Sequence, residues 1–234
     1  YPGQLAQQGV PADHPKAPLR ATFVRPLNFA LASSRNKSGV YAKGSNSLHS
    51  KSIGARPMIQ LDSFVIRPYK ESDSAAMSLA VRESTETVGK WMSWARPDFS
   101  QYDALVWFEQ CNKARATGEA HEFGIFTDDG DFVGGCGLNQ FSIQNKFCNL
   151  GYWIRQSRQR MGAASGATSA LRDLAFKSLN LWRVEIVIAV NNDPSIGVAR
   201  KVGATYECLA KNRLQIHGKP TDAHVFSFAR ENAG

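Results

Sequence analysis

The sequence predicts a layered α/β fold in which a mostly antiparallel sheet contains one central parallel βαβ pair. Three observations lead there. From His121 onward apolar and polar residues follow strand patterns separated by turn residues, as in hairpins. Ala163, Ala164, Ala167, Ala170, Leu171, Leu174 and Ala175 then recur at i, i+1, i+4, i+7, i+8, i+11 and i+12, the strongest helical period in the chain. That helix lies between two strand-like runs, Phe147–Arg155 and Arg183–Val190, and strand–helix–strand over about 40 residues is a crossover that makes its strands parallel neighbours.

The chain has 234 residues and is 43% hydrophobic, enough for one domain with a core plus a tail. Its charge is unevenly placed. Residues 1–57 hold eight Lys or Arg (Lys16, Arg20, Arg25, Arg35, Lys37, Lys43, Lys51, Arg56) and one acid, Asp13. The remaining residues hold 20 basic and 19 acidic side chains, so the high pI belongs to the first quarter. That quarter lacks sustained periodicity and is rich in Ser, Gly, Pro, Asn and Arg. It reads as a disordered basic extension, 1–57, able to bind RNA weakly, and its composition resembles an organelle transit peptide. The chain begins at Tyr1, and Met58, before the first clean strand signal, is a natural start for a domain spanning 58–234. No apolar run reaches the roughly 18 residues of a membrane helix. Cys111, Cys136, Cys148 and Cys208 show neither CxxC pairing nor zinc spacing with His, the pattern of reduced thiols in a cytoplasmic protein with no metal.

In order, the domain opens with Phe64-Val65-Ile66-Arg67, closed by Pro68. Ser72 or Asp73 caps a helix with Ala76, Met77, Ala80 and Val81 on one face, fading near Gly89. The aromatic loop Trp91-Met92-Ser93-Trp94 follows. Its tryptophans serve either as core or as walls of a substrate channel. A second helix runs from about Tyr102 to Ala116, ending at Gly118. Phe123–Thr127 and Phe132–Phe141 form a hairpin around Asp128-Asp129-Gly130-Asp131, whose spacing does not fit a calcium loop. Gly134, Gly135 and Gly137 in its second strand mark a bulge or the close approach of another backbone. In Phe147–Arg155, Cys148, Leu150, Tyr152 and Ile154 share one face, and Asn149, Gly151, Trp153 and Arg155 the other. Arg183–Val190, nearly all β-branched, reads as a central strand buried on both faces. A short helix, Ser195–Val202, ends at Gly203. Thr205–Leu214, the His217-Gly218 turn and Ala223–Phe228 make a closing hairpin.

The turn between the first parallel strand and the long helix is an anion site by construction, because a helix N-terminus offers free N–H groups and partial positive charge. A phosphate loop would need Gly-x-x-x-x-Gly-Lys-Ser/Thr, and no Lys-Ser or Lys-Thr opens this helix. A dinucleotide fingerprint would need three glycines, which Arg160 and Ala164 do not supply. Two readings stay open: a glycine turn with no ligand, and a pyrophosphate cradle made by the N–H groups of Gln159 to Ala164, with Arg158 or Arg160 adding charge.

Gln159-Arg160-Met161-Gly162-Ala163-Ala164 resembles the Q/R-x-x-G-x-G/A signature of the GNAT acyltransferases. Asn192-Asp193-Pro194-Ser195-Ile196, leading to Lys201-Val202-Gly203-Ala204 and Tyr206-Glu207, resembles the second block of their RimJ/RimL branch. So do the Trp91–Trp94 loop and the His217-Gly218…Asp222 hairpin. The similarity covers residues 60–228 with element order intact. It departs at Arg160 and Met161, where small residues are frequent, at Ser165-Gly166 in place of Thr-Glu, and at Ala204 in place of an aromatic.

The resemblance implies a GNAT-like domain over 58–234, with helices on both sheet faces and the parallel pair splayed around acetyl-CoA. The cofactor would meet Trp153, Ile154, Gln159, Arg160, Met161, Gly162, Ala163, Ala164, Ser165 and Asn192, the last of which would alternatively hold its turn. Acetyl would pass by direct attack to a primary amine, either a protein N-terminal α-amine or a small-molecule amine, and a main-chain N–H around Tyr152–Ile154 would stabilise the oxyanion. Ser195 would protonate the leaving thiolate, although locally it also reads as a helix cap or first-turn residue. The base is Glu122, Glu207 or ordered water, and Glu207 also reads as a strand-edge charge. Trp91 and Trp94 are candidates for substrate contact. An acyl-CoA-binding module without turnover is the alternative function, and monomer and homodimer are both compatible with the sequence.

Overall fold

A computed structural model describes residues 58–230; the basic extension 1–57 lies outside them. The chain forms β1 (Ile59–Gln60), β2 (Phe64–Arg67), α1 (Ser74–Glu83), α2 (Gln101–Thr117), β3 (His121–Thr127), β4 (Phe132–Ser142), β5 (Phe147–Ile154), α3 (Ala163–Asp173), β6 (Arg183–Ala189), α4 (Asp193–Lys201), β7 (Thr205–Ile216) and β8 (Lys219–Ala229). The strands make one open sheet in the order β1-β2-β3-β4-β5-β6-β8-β7. Among the described residues only β5 and β6 pair in parallel; every other neighbour is antiparallel.

Helices cover both faces unequally. On one face α3 and α4 press Ala163, Ala167, Leu171 and Ala199 onto Ile125, Leu138, Leu150, Val184, Ile186 and Phe226. Alanines let α3 lie close to the strands, and five residues beyond it (Leu174–Ser178) complete the expected helix as a π-turn. On the other face α1 and α2 enclose an aromatic core of Tyr69, Trp94, Phe99, Trp107, Phe108, Phe126, Phe132 and Trp153. That second core contains no residue of β6, β7 or β8.

This asymmetry corrects the reading of Arg183–Val190 as a strand buried on both faces. Val184, Ile186 and Ile188 are buried, whereas Arg183, Glu185 and Val187 are half-buried, because the α1–α2 layer does not extend across this wing. β-branched composition reports strand propensity; how far a helical layer reaches is a separate, tertiary matter.

Local capping explains the helix limits. Ser100 Oγ accepts from the Asp103 N–H at 3.1 Å and the Asp103 carboxylate accepts from the Ser100 N–H at 2.8 Å, a capping box that starts α2; Gly118 at φ 74° ends it. α1 stops at Glu83, short of Gly89. Ser84 donates its hydroxyl to Ala80 O at 2.6 Å, and its N–H goes to Val81 O. Turns then carry the chain to Trp91.

Candidate active site

The parallel pair is joined only at its start. Phe147, Cys148 and Asn149 stand opposite Arg183, Val184 and Glu185, and beyond Asn149 the two strands part. β5 stays with β4 as far as Ile154, while β6 stays with β8 as far as Ala189. The gap opens into a cleft of about 120 Å³. Its walls include Asn149 to Tyr152 of β5, Ile186 to Ala189 of β6, Asn192 and Ser195 at the start of α4, the loop 91–94, and Arg213, Leu214 and Ile216 of β7.

The open edge of β5 can be read from hydrogen-bond alternation. The Arg155 N–H donates to Val133 O at 2.9 Å, so the main chain of Trp153, two residues back, also faces β4. Tyr152 and Ile154 are therefore the residues whose main-chain groups face the gap. Trp153 does not meet the cofactor edge expected of it. Its ring is buried in the aromatic core, edge-on to Trp94 with centroids 5.4 Å apart. Trp94 serves as both core and cleft wall: it is 3% exposed, lines the cleft, and its Nε1 has no hydrogen-bond partner among the described residues. Trp91 lines the same wall.

At the far end of β5 the chain turns into α3. Gly162 is the residue before the helix, at φ 86°, with nothing within 4 Å of where a Cβ would stand. No side chain caps it, so the N–H groups of Ala163, Ala164 and Ser165 face outward at the positive end of the dipole. Arg160, also at positive φ (64°), turns the chain sharply two residues before Gly162. The turn is held from outside. The Glu83 carboxylate accepts from the Ser157 N–H at 2.7 Å and from Arg155 Nε at 2.8 Å, and Ser84 Oγ accepts from the Gln156 N–H at 3.0 Å. Arg158 pairs with Asp131. Arg160 has no carboxylate partner among the described residues, so of the two candidate arginines it is the one left for an anion. The Gln159 amide turns back to Ile154 O at 3.2 Å and contributes main chain only. Met161 is exposed beside the turn.

Ser195 and Asn192 lie on the opposite lip. Asn192 Oδ1 accepts from the Ser195 N–H at 3.4 Å, so it caps α4. The Tyr152 hydroxyl, pushed up to about 12 by burial, reaches across the gap and donates to Ser195 O at 3.3 Å. It therefore stays protonated at neutral pH, beside Ser195. Glu207 lies elsewhere. It receives Arg183 NH1 at 2.6 Å and the Ser227 hydroxyl at 2.6 Å against the closed start of β6. Those hydrogen bonds hold its carboxyl at about 2, which makes it a poor proton acceptor. Its reading as a strand-edge charge fits this position; that of a base does not.

Glu122, the other carboxylate named from sequence, is 2% exposed and accepts from Asn139 Nδ2 at 3.0 Å. Asn139, Asn149 and Arg213, which line the cleft, were missed by sequence reasoning. The signal available was a polar residue interrupting each of two apolar strands, one opposite the other. Among the described residues no group of three His, Cys, Asp or Glu could hold a metal, and no helix is long and apolar enough to cross a membrane.

Comparison with known proteins agrees with this geometry. The acetyltransferase (GNAT) domain family matches residues 63–205, and the chain belongs to that family. An uncharacterized N-acetyltransferase, p20, of Bacillus licheniformis is 29% identical over 153 residues, spanning 60% of this chain and 86% of its own. The putative ribosomal N-acetyltransferase YdaF of Bacillus subtilis is 25% identical over 166 residues, 70% of this chain and 90% of its own. Among solved structures, a putative ribosomal-protein-serine acetyltransferase from Vibrio cholerae superposes with a TM-score of 0.67 at 31% identity, covering 74% of this chain and 97% of that one. RimL, a ribosomal L7/L12 α-N-protein acetyltransferase solved with coenzyme A, shares the fold at 22% identity and a TM-score of 0.68, covering 74% and 98%.

Proposed function

We propose that this chain is an acetyl-CoA-dependent N-acetyltransferase acting in the cytoplasm on a protein N-terminal α-amine of the ribosomal-protein type. One observation carries the reading: an uncapped helix N-terminus at Gly162 and a cleft walled by tryptophans lie at the two ends of a single gap between parallel strands. The names of the relatives support the class of acceptor.

The residues present fit the cofactor. Free N–H groups from Ala163 to Ser165, the open space at Gly162 and Arg160, which has no carboxylate partner among the described residues, suit a pyrophosphate without metal or lysine. The outward main chain of Tyr152 and Ile154 suits an extended amide arm added like a strand. Acetyl-CoA supplies an activated acyl group as a thioester.

The chain's own groups supply the rest. An α-amine has a pKa near ~8, so a fair fraction is neutral at pH 7 and attacks the thioester carbonyl directly. A main-chain N–H at the Tyr152–Ile154 edge stabilises the oxyanion. A C–N bond forms and the C–S bond breaks. Nitrogen loses one proton to water and sulfur gains one from Ser195 Oγ or the neighbouring Tyr152 hydroxyl, and that hydroxyl takes its proton back from water, so the enzyme ends the step unchanged. The test is thiol release from acetyl-CoA against peptide N-termini and small amines. Turnover on peptides is expected. Coenzyme A binding without turnover on any acceptor would overturn it in favour of a binding module.

A further inference from the structure

Three polar side chains form a line across the α1–α2 face of the sheet and end at the cleft. Asn139 Nδ2 donates to Glu122 Oε1 at 3.0 Å, and Asn149 Nδ2 donates to Asn139 Oδ1 at 3.0 Å. Glu122 and Asn139 are buried; Asn149 is half-buried and lines the cleft. Gly137 makes room for the line. It stands opposite Glu122, and a Cβ there would occupy the place of the carboxylate.

The line has a direction, and Glu122 sets it. An ionised carboxylate has no hydrogen to give. Asn139 must therefore turn its NH₂ to Glu122 and its carbonyl to Asn149. Asn149 must donate in turn, which leaves Asn149 Oδ1 as the last acceptor, with no hydrogen bond among the described residues. We infer that Asn149 Oδ1 is the amine subsite, accepting an N–H of the incoming amine, and that Glu122 and Asn139 are positioning residues that orient it. Held by one N–H, the neutral nitrogen keeps its lone pair for the thioester. This inference rests on the acetyltransferase reading above.

A consequence in pH follows. Burial pushes the Glu122 carboxyl up to about 7, against the opposing pull of Asn139 and Arg115. The groups facing it are Arg115 and Cys111 of α2, Tyr69 after β2 and Cys136 of β4. Burial keeps the two thiols and the phenol neutral well above pH 7, and Arg115 stays charged. His121, next in sequence, points to the opposite face against Phe141 and is lowered by burial and Arg115. Glu122 is thus the group of this cluster that changes charge near neutrality. Once protonated it can donate to Asn139 Oδ1, both amides reverse, and Asn149 offers N–H groups that cannot hold an amine.

The experiment compares wild type, Glu122→Gln, Asn149→Asp and the double variant on a peptide that the wild type acetylates. Glu122→Gln should lower kcat/KM for the peptide about tenfold or more, spare coenzyme A affinity, and remove the part of the rise through pH 7 that exceeds the amine's own titration. The double variant should recover most of the rate, because a carboxylate at position 149 accepts without a relay. An unchanged pH profile in Glu122→Gln, or a double variant no faster than Glu122→Gln, overturns the inference and leaves the enzyme class standing. A second readout needs no turnover. The Asn149 side-chain amide NMR signals, assigned by their loss in Asn149→Asp, should titrate with an apparent pKa near 7 in wild type and stay flat in Glu122→Gln. Signals that stay flat in wild type overturn the relay even if no acceptor is ever acetylated, in which case the acetyltransferase reading falls separately.

Discussion

At the Gly162 end of the cleft, the groups offered to a ligand are main-chain N–H groups from consecutive residues. At the Asn149 end it is one side-chain amide, held in line by two buried side chains on the next two strands. The first end depends on one turn having the right dihedrals, so it tolerates changes of side chain such as Arg160 and Met161. The second depends on residues 122, 139 and 149 standing in line, and one altered side chain breaks it.

The largest expected effect strikes the backbone end. Gly162→Glu places a side chain where φ is 86° and a negative charge at the proposed pyrophosphate cradle, so coenzyme A affinity should fall on the order of 100-fold by calorimetry. Unchanged affinity would remove the cradle from the picture. Next, Ser195→Ala should lower kcat roughly tenfold with little change in KM for acetyl-CoA, the Tyr152 hydroxyl supplying the residual proton donor; a rise in KM alone would make Ser195 a binding residue. A smaller contrast separates the two arginines. Arg160→Ala should weaken coenzyme A about 5-fold and Arg158→Ala, whose charge Asp131 already meets, by less than about 2-fold.

A separate effect concerns stability and has the opposite sign to activity. The folded Glu122 carboxyl titrates at about 7, above its ordinary value of 4.5. Between those values the folded state holds the proton and the unfolded state has lost it. Rising pH therefore drains stability through that window, and the loss is complete above about pH 7. Glu122→Gln should make the protein more stable at pH 8 by roughly 1–3 kcal/mol in urea titrations, with little difference near pH 4.5. A gain at pH 8 together with slower transfer would mark Glu122 as retained for function at a cost in stability. Glu207 works the other way. Held at about 2 by Arg183 and Ser227, it adds stability above its ordinary range that is lost as pH falls toward 2.

The same contrast explains what could be read from sequence. Gln159–Ala164 is a contiguous hexapeptide whose meaning is local, and the strand, turn and helix around it were legible for the same reason. The hairpin at Asp128–Asp131, the helix ending at Gly118 and the parallel pair were likewise written in nearby residues. Asn139 and Asn149 face one another only once β4 and β5 are in register, and the Glu122–Asn139 contact spans 17 positions. Arg183–Val190 misled because its burial is decided by how far α1 and α2 reach. Glu207 kept two readings open in the sequence because its partner, Arg183, lies on the other side of β8.

A hydrogen bond between His217 Nε2 and Gly89 O at 2.8 Å ties the β7–β8 turn to the loop before Trp91. Such a bond is worth about 1 kcal/mol net, so this tie is a latch of thermal size. A ligand entering the cleft between the β7–β8 turn and the loop before Trp91 would therefore meet a contact that thermal energy is enough to break.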